Sequence, residues 1–533
     1  MKKILPAAAA MLTLAAASSP SSAQQQFEPA RKLQIAEAII ENFYVDSVNA
    51  DTIVQEAIVA MLKTLDPHST YTTAEETRAL TEPLNGNFSG IGVQFQMLQD
   101  TVYVIQPVAG GPCEKVGILP GDRIVASNDT AIAGVKMPQS AVMKRLRGPK
   151  GSVANLKVVR RSEPDTLSFR VIRDDIPVHT VDAKYMADPT TGYIRISSFG
   201  AETPQEFIDA YNDLLDKGMK NLIIDLQDNG GGYLSASVDI AKHFLPSGST
   251  IVYTEGLRQE PQFFFADSRK PALTPRIVVL ANEYSASASE ILSGALQDND
   301  RGLVIGRRTF GKGLVQRPFP FPDGSMIRLT TAHYYTPSGR SIQKPYVKGD
   351  TGSYGNDIMD RYKHGEFSSA DSIRLDESLK YTTLKGRPVY GGGGIMPDVF
   401  VPIDTTGVNK YYREVRAKNV INQYVVKYVE NHRKELQRQY PQENEFIDRF
   451  DVSDSMMTDF SSLAQSLGVE PDSAQITECA PFLKLVIKGL IGRDLFTPST
   501  YSRIVNPINP IYKEALRIIN SPQEYNSLLS NQK

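Results

Sequence analysis

One stretch constrains this chain more than any other, and it runs from Ala281 to Gln316 with the sequence ANEYSASASEILSGALQDNDRGLVIGRRTFGKGLVQ. It opens with three serines on alternate positions, Ser285, Ser287 and Ser289. A helix-like run follows, then a short apolar strand, and then Lys312 between two glycines. A serine cluster and an isolated lysine in one loop-helix-strand-loop unit indicate a nucleophile and its base.

The segments before this stretch alternate between strand and helix. Tyr193–Ser197 reads as a strand, Pro204–Lys217 as an amphipathic helix, and Asn221–Leu226 and Arg276–Ala281 as buried strands. This alternation predicts an α/β core. The glycine-rich turn Asp228–Leu234 exposes backbone N–H groups, which could hold an oxyanion, a phosphate or nothing.

The preceding region is β-rich and carries two glycine motifs. They are FSGIGV at Phe88–Val93 and GILPGDRIV at Gly117–Val125, and at this spacing they resemble a PDZ domain. That resemblance implies a loop of backbone N–H groups that holds a peptide's C-terminal carboxylate while an adjoining strand takes the peptide by β-addition. The loop residues are Gly90, Ile91, Gly92 and Val93.

The two ends of the chain have sequence patterns that differ from the α/β pattern of its middle. Arg31–Tyr44 and Thr52–Leu65 show helical periodicity, as does the chain after about Asn409. At the extreme N-terminus, Lys2 and Lys3 precede a short apolar run and an A-x-A-like cleavage site at Ser21–Ala23, which predicts a signal peptide and an exported, soluble, periplasmic or extracellular protein.

Composition sets further bounds. A chain of 533 residues exceeds the roughly 250–300 at which one core stops growing, so several domains are expected. The net charge of −2 argues against nucleic acid as a partner. Cys113 and Cys479 give no disulfide framework, so two free buried thiols are expected. No cofactor or metal is called for.

Rival chemistries fit less well. Gly306–Gly313 matches a phosphate-binding loop except that Gly313 stands where serine or threonine should bind Mg²⁺. Ser341 and Lys344 form an S-x-x-K motif without the partner motifs of penicillin-recognising enzymes. No histidine lies in a local catalytic motif, and His68 is interpreted as a turn or capping residue, although a Ser-His-Asp triad could still assemble in space.

A lysine base requires burial. Neutralising a lysine at pH 7 costs on the order of 4 kcal/mol, because its ordinary pKa is about 10.4. Lys312 has apolar neighbours, Phe310 before it and Leu314 and Val315 after it, so its setting fits a depressed pKa.

Taken together, LDPHSTY, the PDZ motifs, DNGGG, SASASEILSGALQDN, TFGKGLVQ, TPSGRSIQ and GGIMPD resemble, in this order along the chain, the C-terminal processing (tail-specific) serine protease family over about Glu28–Pro402. The resemblance implies Ser287 as nucleophile, Lys312 as general base and Gln316 as the residue that supports the lysine. It also implies an oxyanion hole from the N–H groups of Ala288 and of Gly231 or Gly232. Asp298 is expected to be structural.

The same resemblance fixes the expected architecture. It is an α/β multidomain chain with a signal peptide (1–23), a helical N-terminal region (24–80), a PDZ domain (81–175), a ClpP/crotonase-like α/β protease core (176–403) and a helical C-terminal extension (404–533). Residues 348–378 are expected to form a loop or insertion. Gln227 and Gly230 depart from the family's arginine and proline.

The expected function is an exported serine endopeptidase that takes protein C-termini through its PDZ domain and cleaves through an acyl-enzyme. Its expected partners are proteins or peptides with exposed C-termini, with a regulatory adaptor and a homodimer also considered. The alternative is a non-catalytic PDZ-based adaptor or chaperone.

Overall fold

The computed structural model describes residues 29–161, 163–267 and 273–530. The predicted signal peptide lies outside these residues. The chain forms two compact units, Met1–Leu62 and Lys63–Lys533. The described part of the first holds helix α1 (Pro29–Phe43) and most of α2 (Ala50–Lys63), within two residues of the predicted helices. The apolar side chains of α1 are exposed.

The second unit begins with a short strand and a helix before the predicted PDZ region. The elements are β1 (Thr70–Thr72), α3 (Ala74–Leu84), β2 (Asn87–Gly90), β3 (Val93–Leu98), β4 (Thr101–Pro107), α4 (Pro112–Lys115), β5 (Arg123–Ser127), β6 (Thr130–Ala131), α5 (Gln139–Leu146), β7 (Val153–Val159), β8 (Leu167–Ile172) and β9 (Asp174–Pro177). Strands β3, β4, β5, β7 and β8 pair in that order, with β6 beside β5, and β2 pairs with β9. Their apolar side chains enclose a separate small core.

The next region contains the α/β core. Its elements are β10 (Val181–Met186), β11 (Thr191–Ile196), α6 (Thr203–Asp216), β12 (Asn221–Asp225), α7 (Leu234–Lys242), β13 (Thr250–Gly256), β14 (Gln259–Phe265), β15 (Arg276–Ala281), α8 (Ala288–Asp298), β16 (Leu303–Gly306), β17 (Leu314–Pro320), β18 (Met326–Tyr335), α9 (Thr351–Lys363), β19 (Lys380–Thr382), β20 (Pro388–Tyr390) and β21 (Val399–Phe400). The segment expected to be a loop thus contains α9, which buries Tyr354 and Arg361.

Two sheets position the site. The first has the order β10-β11-β12-β15-β16-β21 and is parallel except for the antiparallel pair β10–β11. The second has the order β1-β18-β13-β14, with β17 paired to β18. Alternate residues of the first sheet point to opposite faces, so Ile224 packs with α6, α7 and α8 while its neighbour Ile223 packs on the other side.

The C-terminal region is helical, as predicted. It comprises α10 (Lys410–Ala417), α11 (Val420–Gln439), α12 (Glu443–Arg449), α13 (Asp454–Ser466), α14 (Ser473–Leu495), α15 (Pro498–Val505), α16 (Pro510–Ile519) and α17 (Pro522–Ser530). Helices α10 to α15 share one core, whereas α16 and α17 cover the second face of the parallel sheet. Cys113 and Cys479 are free and buried, and no helix in the described ranges is long and apolar enough to cross a membrane.

Candidate active site

Ser287 occupies a strained turn between β15 and α8. It is the residue before the first turn of α8, and its φ is 57° and its ψ −114°. A residue with a Cβ rarely adopts a positive φ, and holding one there costs about 1–3 kcal/mol. The turn presents the Ser287 side chain at the N-terminus of a helix, where backbone N–H groups are not used by the helix itself.

The three serines of this turn differ in what their hydroxyls do. Ser285 and Ser289 are fully buried, and their hydroxyls donate to the carbonyls of Leu226 (2.7 Å) and Asn229 (2.9 Å). Ser287 is partly exposed, and its hydroxyl donates no hydrogen bond among the described residues, while its oxygen faces the N–H of Glu290 in the capping box of α8. Geometry therefore separates Ser287 from its neighbours, which spacing in the sequence could not do.

The glycine loop after β12 packs directly against this turn. A Cβ on Gly231 would lie 2.7 Å from the Cβ of Ser287 and 3.0 Å from the nitrogen of Ala288, and Gly231 has a φ of 103°. The N–H of Gly231 donates to the side-chain oxygen of Asn229 at 2.8 Å. Within the described ranges no hydrogen bond uses the N–H of Gly232 or of Ala288, so these two donors are free.

Lys312 lies in the loop between β16 and β17. Burial lowers the pKa of its ammonium to about 8, and the positive charge of Arg328 acts in the same direction. The carboxylates of Glu290 and Asp66 oppose this shift. No hydrogen bond joins Lys312 Nζ to Ser287 Oγ in the described part of the chain.

Two buried side chains tie Ser287 and Lys312 to each other through their backbones. One carboxylate oxygen of Glu290 accepts the N–H groups of Ser287 (2.8 Å) and Lys312 (2.9 Å). Its other oxygen accepts the N–H of Gly311 and the hydroxyl of Thr309. The hydroxyl of Tyr334 lies 2.6 Å from the carbonyl oxygen of Lys312 and 3.2 Å from that of Ser287.

The prediction from the sequence missed Glu290. A signal was available, because Ser287-Ala288-Ser289-Glu290 matches the S-x-x-E pattern of a helix start. The residue is completely buried, and this burial raises the pKa of its carboxyl to about 7, although its four hydrogen bonds favour the charged form.

Gln316 stands on β17 beyond a register shift between Val315 and Gln316. A four-residue offset along one regular strand would place Lys312 and Gln316 on the same face, but Lys312 precedes the strand and this irregularity interrupts the alternation. The amide of Gln316 donates to the hydroxyl of Thr330 (3.1 Å), which in turn donates to Asp66 (2.9 Å). Gln316 thus connects to a carboxylate near the lysine and makes no hydrogen bond to the lysine itself.

His68 lies nearer the site than its sequence context indicates. Its backbone N–H donates to Asp66, so it does sit in a turn. Its Nε2 is 2.9 Å from the hydroxyl of Tyr354. Burial and, next, the charge of Lys312 lower the pKa of His68 to about 4. His68 is therefore neutral at pH 7 and lies within electrostatic range of the lysine.

The PDZ loop residues lie where β2 gives way to β3. The carbonyls of Ile91 and Gly92 accept from the N–H groups of Cys113 and Val108, both at 3.0 Å. Gly90 forms an isolated antiparallel β-bridge with Arg147. Val93 is the first residue of β3.

The two departures from the family pattern have different settings. Gln227 is buried, and its side chain donates to the carboxylate of Asp225. Burial raises the pKa of Asp225, so a neutral amide is a fitting partner for it. Gly230 is exposed, and a Cβ there would meet nothing within 4 Å. Asp298 pairs with the fully buried Arg340 at 2.7 Å, the structural role expected for it.

Comparison with known proteins defines the class. Residues 190–353 match the model of Peptidase family S41, residues 89–173 a PDZ domain, and residues 3–77 the N-terminal domain of the activating protease CtpB. Residues 411–497 match a family of unknown function. The peptidase and PDZ matches define a serine peptidase that carries a PDZ domain.

The relatives specify the family. The carboxy-terminal processing protease CtpB of Bacillus subtilis is 34% identical over 370 residues, 68% of this chain and 75% of that protein. The carboxy-terminal-processing protease of Bartonella bacilliformis is 33% identical over 382 residues, 70% of this chain and 85% of that protein. A solved photosystem II D1 C-terminal processing protease shares 30% identity over 58% of this chain and 83% of its own, with a TM-score of 0.34. This chain belongs to the carboxy-terminal processing protease family.

Proposed function

We propose that this protease is an exported endopeptidase that cleaves with a Ser287–Lys312 dyad. Neutral Lys312 removes the proton of the Ser287 hydroxyl as its oxygen attacks the scissile carbonyl. The N–H of Ala288 and a glycine N–H of the 231–232 pair bind the developing oxyanion. Lys312 then gives its proton to the leaving amine, and water hydrolyses the acyl-enzyme.

The observation that carries this proposal is the contrast among the serines. Of the three, only Ser287 has a partly exposed hydroxyl that donates to no described residue, and it lies beside the free N–H of Ala288 with Gly231 packed against its Cβ. The depressed pKa of Lys312 complements it. With a pKa of about 8, about one tenth of the lysine is neutral at pH 7, against less than one in a thousand for an ordinary lysine.

The two oxyanion candidates are not equivalent. Gly231 already donates its N–H to Asn229, whereas the N–H of Gly232 has no partner in the described ranges. We therefore assign the glycine donor to Gly232, with Gly231 providing the space for close packing against Ser287. Gln316 acts on the site through Thr330 and Asp66.

The PDZ domain would bring substrates to this site by their C-termini, with Gly90, Ile91, Gly92 and Val93 at the carboxylate. Two peptides of identical sequence, one ending in a free carboxylate and one in an amide, test this role. The free form should have the lower KM, and equal KM values would refute tail recognition.

Association and location form a further part of the proposal. The exposed apolar face of α1 is the proposed homodimer surface. Mass photometry would compare the full-length chain with a form lacking α1, and only the full-length chain should form dimers.

Co-purification from the periplasm tests for a regulatory adaptor. N-terminal sequencing of the exported form tests for cleavage after Ala23.

The dyad is tested by hydrolysis of an unfolded protein substrate. Ser287→Ala and Lys312→Ala should each abolish turnover. Lys312→Arg is the matched control, because it keeps the positive charge but cannot become neutral at ordinary pH; it should be equally inactive. Turnover by Ser287→Ala at the wild-type rate would refute the assignment.

The adaptor alternative depends on the glycine loop, where Gln227 and Gly230 replace the family's arginine and proline. Both departures fit the structure without displacing Ser287, so no specific observation favours it. A serine-directed phosphonate separates the two functions: modification of Ser287 supports the enzyme, and tail binding without modification or turnover supports the adaptor.

A further inference from the structure

A second site lies far along the chain from the catalytic residues. It is a cavity of about 670 Å³ where the β10–β11 edge of the parallel sheet meets helices α10, α14 and α15. Three arginines line it, Arg195, Arg416 and Arg493, and we call it the arginine cavity. The one acidic side chain in its lining is Asp182.

Positive charge in this cavity is only partly balanced within the protein: the carboxylates of Asp225 and Asp182 raise the pKa of Arg195, whereas Arg416 has no carboxylate partner among the described residues. The Nε of Arg195 is buried without a hydrogen-bond partner, and Asp182 lies 3.6 Å away, with one of its own oxygens buried and unpartnered. Arg416 makes no ion pair in the described ranges, and its guanidinium lies over the ring of Tyr412, 5.9 Å from the centroid. Arg493 is paired with Asp494 through Nε and one terminal nitrogen, which leaves its other terminal nitrogen free.

All three guanidinium groups act electrostatically on one residue of the lining, Tyr501. Burial raises the pKa of Tyr501, and the charges of Arg493, Arg195 and Arg416 all oppose that rise, so all three lie within electrostatic range of its ring. A buried donor without a partner is costly, and several cations around one cavity repel each other. Both costs fall when an anion enters.

The rest of the lining is mixed. The polar side chains of Asn419, Asn422 and Ser502 lie beside an apolar part, which includes the rings of Tyr412 and Phe482, in edge-to-face contact at 5.3 Å, and the side chains of Val486 and Leu490. An apolar surface with placed polar groups suits a small organic ligand, and arginine forks match carboxylates. Because Asp182 shares the lining, a singly charged head group fits better than a dianion.

We propose that the arginine cavity binds an amphipathic carboxylate, with the carboxylate on the arginines and an apolar body among Tyr412, Phe482 and Tyr501. The ligand would contact both the sheet edge and the C-terminal helices. Two sources share this chemistry, a free organic acid and the apolar C-terminal end of a polypeptide.

The test uses the absence of tryptophan from this sequence. An indole ligand can be excited without background from tryptophan in the protein, so the anisotropy of indole-3-propionate reports its binding directly. The measurement is made on the Ser287→Ala protein, which keeps it independent of the proposed cleavage chemistry. Saturable binding is expected, and its absence at millimolar concentration would overturn the proposal.

Charge recognition is tested by substitution and by ligand. Arg416→Gln removes a guanidinium whose residue is exposed, so the fold should persist, and affinity should fall about tenfold or more. Arg413→Gln, on the same helix and outside the cavity, is the matched control and should bind as before. Indole-3-propionamide should bind at least about tenfold more weakly than the acid; equal binding of acid and amide, or of Arg416→Gln and the parent, would refute the site.

A further arm distinguishes the two sources. A pentapeptide ending in tryptophan is compared with its C-terminal amide, in the parent and in Arg416→Gln. Any binding to the PDZ domain persists in Arg416→Gln, so only the part that this substitution removes belongs to the cavity. If Arg416→Gln removes part of the peptide binding, the natural ligand is a polypeptide end. If it removes none of the peptide binding while indole-3-propionate still binds the parent, the natural ligand is a free acid.

Discussion

Glu290 is the single residue on which the geometry of the proposed dyad most depends. Its two oxygens accept four hydrogen bonds, including the N–H groups of Ser287 and Lys312. Glu290→Gln keeps the shape but turns one oxygen into a donor that faces existing donors. We expect kcat to fall at least about tenfold and the free energy of unfolding to fall by about 2–4 kcal/mol, because two buried N–H groups lose their acceptor.

Activity per folded molecule separates the catalytic effect from the loss of stability. Asp298→Asn is the matched control on the same helix, since it breaks the buried pair with Arg340 but contacts neither Ser287 nor Lys312. It should lower stability and leave kcat of the folded fraction unchanged. If Glu290→Gln behaves in the same way, Glu290 stabilises the fold and does not position the dyad.

The pKa of Lys312 gives a pH prediction. Its pKa is depressed to about 8 and the neutral amine is the proposed base, so kcat/KM should rise with pH and level off above about 8. Arg328 contributes to this depression, so in Arg328→Gln the pKa of Lys312 should rise. The ascending limb then moves to higher pH, and kcat/KM at pH 7 falls by roughly three- to tenfold for a rise of half to one pKa unit.

The plateau at high pH provides the internal check. It should be the same in Arg328→Gln and wild type, because the proportion of neutral lysine is then complete in both. Arg317→Gln, an exposed position on the neighbouring strand, should leave the profile in place. A limb unaffected by Arg328→Gln would indicate that another group controls the profile.

At the scale of elements, local pattern predicted more than long-range packing. The helices at 31–44 and 52–65 and the strands after Gly192 follow from periodicity, which is a local property of each segment.

Helix α9 was missed because its sequence is polar. Its two buried side chains, Tyr354 and Arg361, face the loop around Lys312 and Glu366, and they do not face an apolar core. The proximity of His68 to Lys312 was missed because pairing of β1 with β18 brings together residues more than 240 positions apart.

The contact between the PDZ sheet and α11 also had no local signal. Leu98 on β3 and Ile105 on β4 pack against Val426 of α11, and Arg123 on β5 pairs with Glu430 at 2.8 Å. This small apolar contact holds the PDZ domain against the C-terminal helices. Because a buried charge without a partner is costly, Val426→Asp should release the domain.

Hydrogen exchange measured by mass spectrometry reports that release. In Val426→Asp the amides of β3 and β4 should exchange faster, while those of the parallel sheet keep their wild-type rates. Gln437→Asp places the same charge at an exposed position of α11 and should change neither. Unchanged exchange in Val426→Asp would show that this contact does not restrain the PDZ domain.

At the scale of the whole molecule, the last helices belong to the protease core. An amphipathic sequence predicts that α16 buries one face, but nothing in it specifies the far face of the parallel sheet as its partner. Ile511, Ala515, Ile518 and Ile519 are all almost completely buried there. The hydroxyl of Tyr525 also accepts from the N–H of Ile277 and donates to its carbonyl.

Removing residues 510–533 should therefore unfold the protease core, because it exposes the apolar face that these helices cover. A buried isoleucine cut to alanine costs about 2–5 kcal/mol, and domains are stable by only about 5–15 kcal/mol. Ile518→Ala alone should lower the denaturation midpoint, measured by far-UV circular dichroism in urea, whereas Lys513→Ala on the exposed face of α16 should not. A truncated chain with the wild-type midpoint and activity would mean that this face of the sheet is stable without the helices. We expect otherwise, because the apolar side chains of Ile223, Val278 and Ile305 on that face would then be exposed to water.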